Sequence, residues 1–188
     1  MGKVYPSIDE KLRDFIEKQH VFFVATAPRS DSGLVNLSPK GLDSLRILDE
    51  RTVVYADLVG SGIETAAHVQ ENGRIVLMFC AFAGPPKIVR LHGRGEVIPH
   101  VHADYPQLEN HFPQLSGLRC FIRIDCHRIS DSCGFGVPLF EYQGQRSQLT
   151  QWASQKSLQS LNDYIEQNNR ESLDGLPGLS PDMTDGER

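Results

Sequence analysis

Thr52 to Phe82 reads TVVYADLVGSGIETAAHVQENGRIVLMFCAF, and the order strand, glycine turn, helix, strand can be followed along it residue by residue. Thr52 to Leu58 is β-branched and aromatic, as a half-buried strand requires, and Arg74 to Phe82 is too apolar to face water on both sides. Between them stands Gly60-Ser61-Gly62-Ile63-Glu64-Thr65. Ser61 followed three residues later by Glu64 has the pattern of a capping box, which predicts a helix from about Gly62 to Asn72-Gly73. Two glycines at a helix start allow an anion to approach the free backbone N–H groups, so the turn is a candidate phosphate site. Two other readings stand beside it. Ser61 and Glu64 could do no more than cap the helix, and Gly60-x-Gly62 after a strand could open a dinucleotide fingerprint. The second lacks a third glycine, since Thr65 stands there, and lacks a carboxylate closing the following strand.

Upstream, Ser7-Ile8-Asp9-Glu10 is another capping-box pattern, and Ile8, Leu12, Phe15 and Ile16 have helical spacing to about Gln19. His20 to Ala27 reads as a buried strand, Pro28 to Gly33 as a turn, and Leu34 to Ser38 as the return of a hairpin closed by Pro39-Lys40-Gly41, with Leu42 to Arg51 left as a connection. Downstream, Gly84-Pro85-Pro86 forces a turn into a long strand, Lys87 to Ile98, in which Gly93 and Gly95 predict a bulge or a close approach. Pro99 to Pro113 holds a short helical turn, Leu118 to Ser130 is the last long strand, and Thr150 to Asn168 has the apolar spacing of a helix. The expected fold is mainly β with flanking helices, a six-stranded and mostly antiparallel barrel. Residues 1–173 form one domain; 174–188, rich in Gly, Pro and Asp, form a tail that is mobile or docked only by Leu176 and Leu179.

Composition narrows the partners. With 188 residues the chain can bury one core, and 19 Lys plus Arg against 24 Asp plus Glu, a net charge of -5, gives no attraction to nucleic acid or an acidic membrane. The four cysteines, Cys80, Cys120, Cys126 and Cys133, show no CxxC spacing, which suits reduced thiols in a cytoplasm, and no apolar run is long enough to span a bilayer. His100, His102, Asp104 and His111 match no zinc spacing, so no metal is expected, and Cys133 has no sequence neighbour that would activate it. Asn36-x-Ser38-Pro39-Lys40-Gly41 is more informative. In a small barrel the end of this strand can lie near the helix start, bringing Lys40 and Ser38 to Ser61–Thr65 as a cationic, hydroxyl-rich pocket for one phosphate.

The succession VFFVATA, VNLSPKG, VVYADLVGSGIETAAH, NGRIVLMF, IVRLHGRGEV and SCGFGVP resembles the pyridoxamine 5'-phosphate oxidase-like family of split-barrel flavoproteins over about Ser7 to Gln143. The resemblance implies a split β-barrel homodimer with FMN in two grooves between subunits. It implies that the FMN phosphate and ribityl chain meet Asn36, Ser38, Lys40 and Gly41 on the second strand and Ser61, Gly62, Glu64 and Thr65 at the helix start. Arg90 would be added by the long strand, and Cys133, Gly134, Phe135 and Gly136 would reach the flavin from the partner. Members that oxidise pyridoxamine 5'-phosphate carry an Arg five residues before the Lys, a Ser-Arg-Lys at the helix start and a closing Arg-Leu-x-Pro. This chain has Val35, Ser61-Gly62-Ile63 and PDMTDGER, so that particular activity is not expected. Two functions stay open: an FMN-dependent oxidoreductase on an unknown small molecule, and a non-catalytic binding or sensor protein holding haem, deazaflavin or another ligand.

Overall fold

A computed structural model describes residues 2–179. Its elements run β1 (Val4–Tyr5), α1 (Glu10–Glu17), β2 (Phe22–Thr26), β3 (Asn36–Lys40), β4 (Leu45–Ile47), β5 (Thr52–Leu58), α2 (Glu64–Asn72), β6 (Arg74–Cys80), β7 (Ile88–Pro99), α3 (Tyr105–Glu109), β8 (Leu118–Ser132), α4 (Gln148–Ser154) and α5 (Leu158–Asn168). The six expected strands are present, and two short ones join them. β4 lies inside the stretch expected to be a plain connection; three residues are too few for a pattern to be read from sequence. Every pairing is antiparallel, in the order β3-β2-β6-β7-β8-β5-β4, with β1 added against β8. The result is a curled sheet whose two ends, β3 and β4, do not pair with each other. β5 and β6 flank α2 in sequence but are separated in the sheet by β8 and β7, which rules out the dinucleotide-binding reading of the glycine turn.

Alternation along the strands fills the barrel. Leu12 and Ile16 of α1, Val24, Tyr55, Leu77, Leu91, Ile122 and Ile124 are buried in one cluster, each full burial of a large aliphatic contributing about 1.5–3 kcal/mol. The opposite face of β5 is buried too, where Val54 and Ala56 pack with Ile98, Phe121 and the α3 residues Tyr105 and Leu108. Gly93 lies at a register shift between β7 and β8, with a Cβ there falling 2.5 Å from Asp125 O, and Gly95 backs onto Val69 of α2. Both a bulge and a close approach therefore occur. α1 is capped by Asp9, whose Oδ1 accepts from Leu12 N at 2.8 Å, and not by Ser7. The expected C-terminal helix is two helices, because Ser157 caps a new start by accepting from Ser160 N. The segment after α5 is docked by more than two leucines: Leu179 is buried, Leu176 half-buried, and Gln70 Nε2 donates to the carbonyls of Pro177 and Gly178.

Candidate functional site

At the seam where β3 fails to meet β5, a cavity of about 400 Å³ opens. Period-two alternation puts Asn36, Ser38 and Lys40 on one face of β3, and all three line this cavity with Gly41, Leu42, Ala56 and Leu58. Its other wall is Gly60, Ser61, Gly62, Glu64 and Thr65, and Arg119 of β8 reaches in beside them. Lys40 and Ser38 thus do come together with the helix start. Behind them sits a buried charge cluster. Asp57, 1% exposed, receives Lys40 Nζ at 3.2 Å and Arg119 Nε at 2.6 Å. Burial pushes the Asp57 pKa up, but the Arg119 and Lys40 charges outweigh it and hold the carboxyl below its ordinary value. Two cations on one carboxylate leave a positive charge in excess. Among the described residues the buried Ser38 Oγ has no hydrogen-bond partner, and a group left so in an interior is placed for a ligand or water.

α2 begins at Glu64, later than expected, and its N-cap position is Ile63, with no side chain capping the first turn. The Ser61–Glu64 capping box does not form. The reason lies behind the loop: Arg119 Nη2 donates to Gly62 O at 2.9 Å and Asn169 Nδ2 to Gly60 O at 3.1 Å, which holds residues 60–62 away from helical geometry. The N–H groups of the first turn are left without a side-chain cap. Glu64 folds back over this start, its Oε2 lying 2.5 Å from where a Cβ on Gly62 would be. It brings a negative charge to the cavity mouth. At the C-terminus of α2, Gly73 adopts φ 72° and closes the helix as expected.

The structure does not bring every expected residue to this cavity. Arg90 donates from Nη1 to Ser132 Oγ at 3.0 Å, away from Lys40. Cys133, Gly134, Phe135 and Gly136 follow the end of β8; Gly134 packs on the Lys87 backbone, Phe135 is 82% exposed, and none of the four lines the cavity within one chain. Cys80, Cys120 and Cys126 are buried and Cys133 exposed, all as free thiols, and burial pushes Cys126 up to about 12. His100 Nε2 meets Leu118 O and His102 faces Glu96; no metal-binding group of three His, Cys, Asp or Glu occurs among the described residues. The chain end PDMTDGER lies outside the described residues.

Four residues behind the cavity went unread in the sequence. Asp57 and Arg119 sit in strand-like runs where apolar neighbours masked them; the available signal was Asp57 as the single charge of an otherwise buried strand, whereas Arg119 shares β8 with Arg123, Asp125, Arg128 and Asp131. Asn169 and His68 gave no signal. His68, fully buried, meets Thr26 Oγ1 through Nδ1 at 3.0 Å, and Asn36 Nδ2 donates to Thr26 Oγ1 and Thr65 Oγ1 at 3.0 and 2.9 Å.

Comparison with known proteins agrees with this architecture. Residues 8–133 match the family described as pyridoxamine 5'-phosphate oxidase. The pyridoxamine 5'-phosphate oxidase family protein ustO of Aspergillus flavus is 37% identical over 198 residues, covering 96% of this chain and 79% of that protein. Among solved structures, Group A Streptococcus HupZ shares the fold at a TM-score of 0.50 and 22% identity, covering 65% of this chain and 91% of its own. A pyridoxamine 5'-phosphate oxidase homologue from Lactobacillus delbrueckii does so at 0.52 and 13%, covering 68% and 98%. A FAD-binding protein from Mesorhizobium loti aligns at 0.50 and 14%, covering 70% and 96%. With more than half of its length in the family match and a relative above 30% identity matched over 79% of that protein's length, the chain belongs to the pyridoxamine 5'-phosphate oxidase family.

Proposed function

We propose that this protein binds FMN and uses it to oxidise or reduce a small molecule, the flavin phosphate entering the cavity between β3 and the start of α2. One observation carries the reading: two cations held on one buried carboxylate, an unpartnered buried hydroxyl and an uncapped helix start converge on a single cavity, with the Glu64 carboxylate at its mouth. Lys40 has two ammonium N–H groups beyond the one given to Asp57, and Arg119 likewise has N–H groups beyond its three bonds. These, the Ser38 hydroxyl and the first-turn N–H groups would hold the phosphate. Bound FMN would supply two-electron redox chemistry, so the chain needs no acid–base pair of its own. Its part is to bind, orient and shield. The FAD-binding relative in fold from Mesorhizobium loti supports a flavin. Val35 and Ser61-Gly62-Ile63 replace the basic residues that the resemblance assigns to pyridoxamine 5'-phosphate oxidation, so the substrate is a different one.

The outer face of the sheet supports a second subunit. Leu37 is 63% and Val35 74% exposed, and the register carries this face from Pro39 through Phe23 and Met78 to Arg90. In the next row, opposite Val76, His92 keeps a buried Nδ1 without a partner. A second copy covering this face would dry it and bring the loop at Cys133–Gly136 to a neighbouring cavity. Free, unpaired cysteines fit a reducing compartment such as the cytoplasm, and among the described residues no helix is long and apolar enough to cross a membrane.

The test is the absorbance spectrum of the purified protein followed by titration with FMN and riboflavin. Flavin bands, with FMN held at least tenfold more tightly than riboflavin, support the reading. A Soret band, or equal affinity for the two flavins, replaces it. Light scattering at micromolar concentration checks the dimer; a monomer that still holds FMN tightly removes the shared site.

A further inference from the structure

We infer that the segment after α5, residues 169–179, braces the cavity from behind without lining it, and that Asn169 and Asp174 are positioning residues for its phosphate ligands. The segment lies outside the family match at 8–133, and the inference rests on the phosphate reading above. Asn169 is fully buried, and its amide is divided between the two halves of the site: Oδ1 accepts from Arg119 Nη1 at 2.9 Å, and Nδ2 donates to Gly60 O at 3.1 Å. Arg119 in turn takes Gly62 O. Both glycine carbonyls are therefore turned toward Asn169 and Arg119. In a planar trans peptide the N–H points opposite to the C=O, so the Ser61 and Ile63 N–H groups are turned to the other side. One side chain from the C-terminal segment thus sets the guanidinium and the loop together.

Asp174 acts on the opposite wall. Its Oδ1 accepts from Leu34 N at 3.0 Å and its Oδ2 lies 3.4 Å from His68 Nε2. The chain of bonds has one consistent direction. Asn36 Nδ2 donates to the oxygens of both Thr26 and Thr65. Because the Thr26 oxygen already accepts from Asn36, the His68 tautomer that fits leaves Nδ1 unprotonated to accept from Thr26 and turns Nε2–H toward Asp174. Thr65, with its oxygen already accepting from Asn36, has its own proton to donate, either to the Tyr55 hydroxyl beside it or to an acceptor in the cavity that it lines. Docking is tight enough to transmit this: Leu179 enters the main core, and a Cβ on Gly178 would collide with Asn169 O and come 2.7 Å from Ile63 Cγ1. By linkage, what the segment does for phosphate affinity, phosphate does for docking of the segment.

The full-length protein is titrated with FMN and with riboflavin as wild type, Asn169→Ala and Asp174→Ala, and each form is followed without ligand by hydrogen exchange over 59–66. Asn169→Ala is expected to weaken FMN about tenfold and riboflavin less than about twofold, since Arg119 acts through the phosphate. Asp174→Ala should do the same more weakly. Exchange at 60–65 should rise in both variants. Saturating FMN should slow tryptic cleavage after Arg170, whose side chain is 70% exposed, by several-fold. Equal loss of both flavins marks a structural role only and overturns the inference, as does wild-type exchange together with wild-type affinity. If wild type binds no FMN, the phosphate reading fails, and the exchange data alone decide: a rise at 60–65 keeps the positioning role, and no change removes it. Should Asn169→Ala fail to fold, Asp174→Ala, at a side chain 13% exposed, gives the same comparison.

Discussion

Lys40, Asp57 and Arg119 form a unit whose members have different tasks. Asp57 is shielded from solvent and bonded to both cations, so it sets their positions; Lys40, 23% exposed, is the one that can meet a ligand with little rearrangement. Lys40→Ala removes a charge-assisted hydrogen bond worth about 1.5–3 kcal/mol, so FMN affinity should fall roughly tenfold to a hundredfold while riboflavin changes little. Thr65→Val should cost FMN less, about 0.5–1.5 kcal/mol. Glu64 works in the other direction, because its carboxylate shares the helix start with the expected phosphate. Glu64→Gln should therefore tighten FMN by about twofold to fivefold, the size of a single charge at a helix N-terminus. Fluorescence quenching by each variant, with circular dichroism as the control for folding, measures all three; a loss on Glu64→Gln would make Glu64 a ligand in its own right. Lys40 was legible in the sequence because it closes a strand beside a glycine and a proline. Asp57 and Arg119 were not, since their partners are 17 and 62 residues apart in the chain from Asp57 and only the pairing of β5 with β8 joins them.

The glycines of β7 show how an element is shaped by what it must touch. Gly93 has Ile124 and the Asp125 carbonyl where a side chain would go, and a Cβ on Gly95 would meet Val69 Cγ2 at 3.1 Å and Ile75 Cγ2 at 3.3 Å. Backbone cannot yield at Gly93, whereas the methyls facing Gly95 can shift by a few tenths of an ångström. Gly93→Ala should thus cost about 1–3 kcal/mol or more and Gly95→Ala less, read from urea midpoints. Gly60→Ala is the comparison: the nearest atom to its Cβ is Leu58 O at 3.9 Å, so stability should change by less than about 0.5 kcal/mol. A large loss there would mean that the loop is held more closely than its contacts indicate. The sequence announced these glycines because a strand interior rarely tolerates two. It misplaced both N-caps of interest, Ser7 for Asp9 and Ser61 for Ile63, for one reason. Cap residues are chosen by where the chain turns, and at residues 60–62 that turn is decided by Arg119 and Asn169, far along the chain.

At the scale of the molecule, the succession of long strands could be read from hydrophobic pattern, but the sheet order could not, because β5 pairs with β8 across more than fifty intervening residues and nothing local specifies that choice. The long-range order is held at two places by ionisable groups, and these give the fold its pH limits. Asp57 and Asp131 both have carboxyls held below their ordinary value: Asp57 by the two cations against its burial, Asp131 chiefly by the Tyr5 hydroxyl and the Lys3 N–H. A depressed native pKa means that the unfolded chain binds protons more readily. The stability from these groups is therefore complete above the unfolded carboxylate value of about 3.9 and disappears as pH falls through the lower native values. Tyr5, which ties β1 to β8 by its bond to Asp131 Oδ2, is raised to about 12 by that hydrogen bond first and by burial and the Asp131 charge next. Its sign is opposite: the contribution is complete below about pH 10 and is lost as pH rises through about 12. Urea unfolding from pH 2 to 12 should show both limbs. Asp57→Asn should lower neutral-pH stability by about 3–5 kcal/mol, since Arg119 stays buried without its counter-charge, and should flatten the acid limb. Tyr5→Phe should flatten the alkaline limb and, because the Tyr5 hydroxyl is the main cause of the low Asp131 value, remove the Asp131 part of the acid limb while leaving the Asp57 part. A wild-type acid limb in Asp57→Asn would place the acid sensitivity elsewhere and reduce the Asp57 cluster to a role in binding alone.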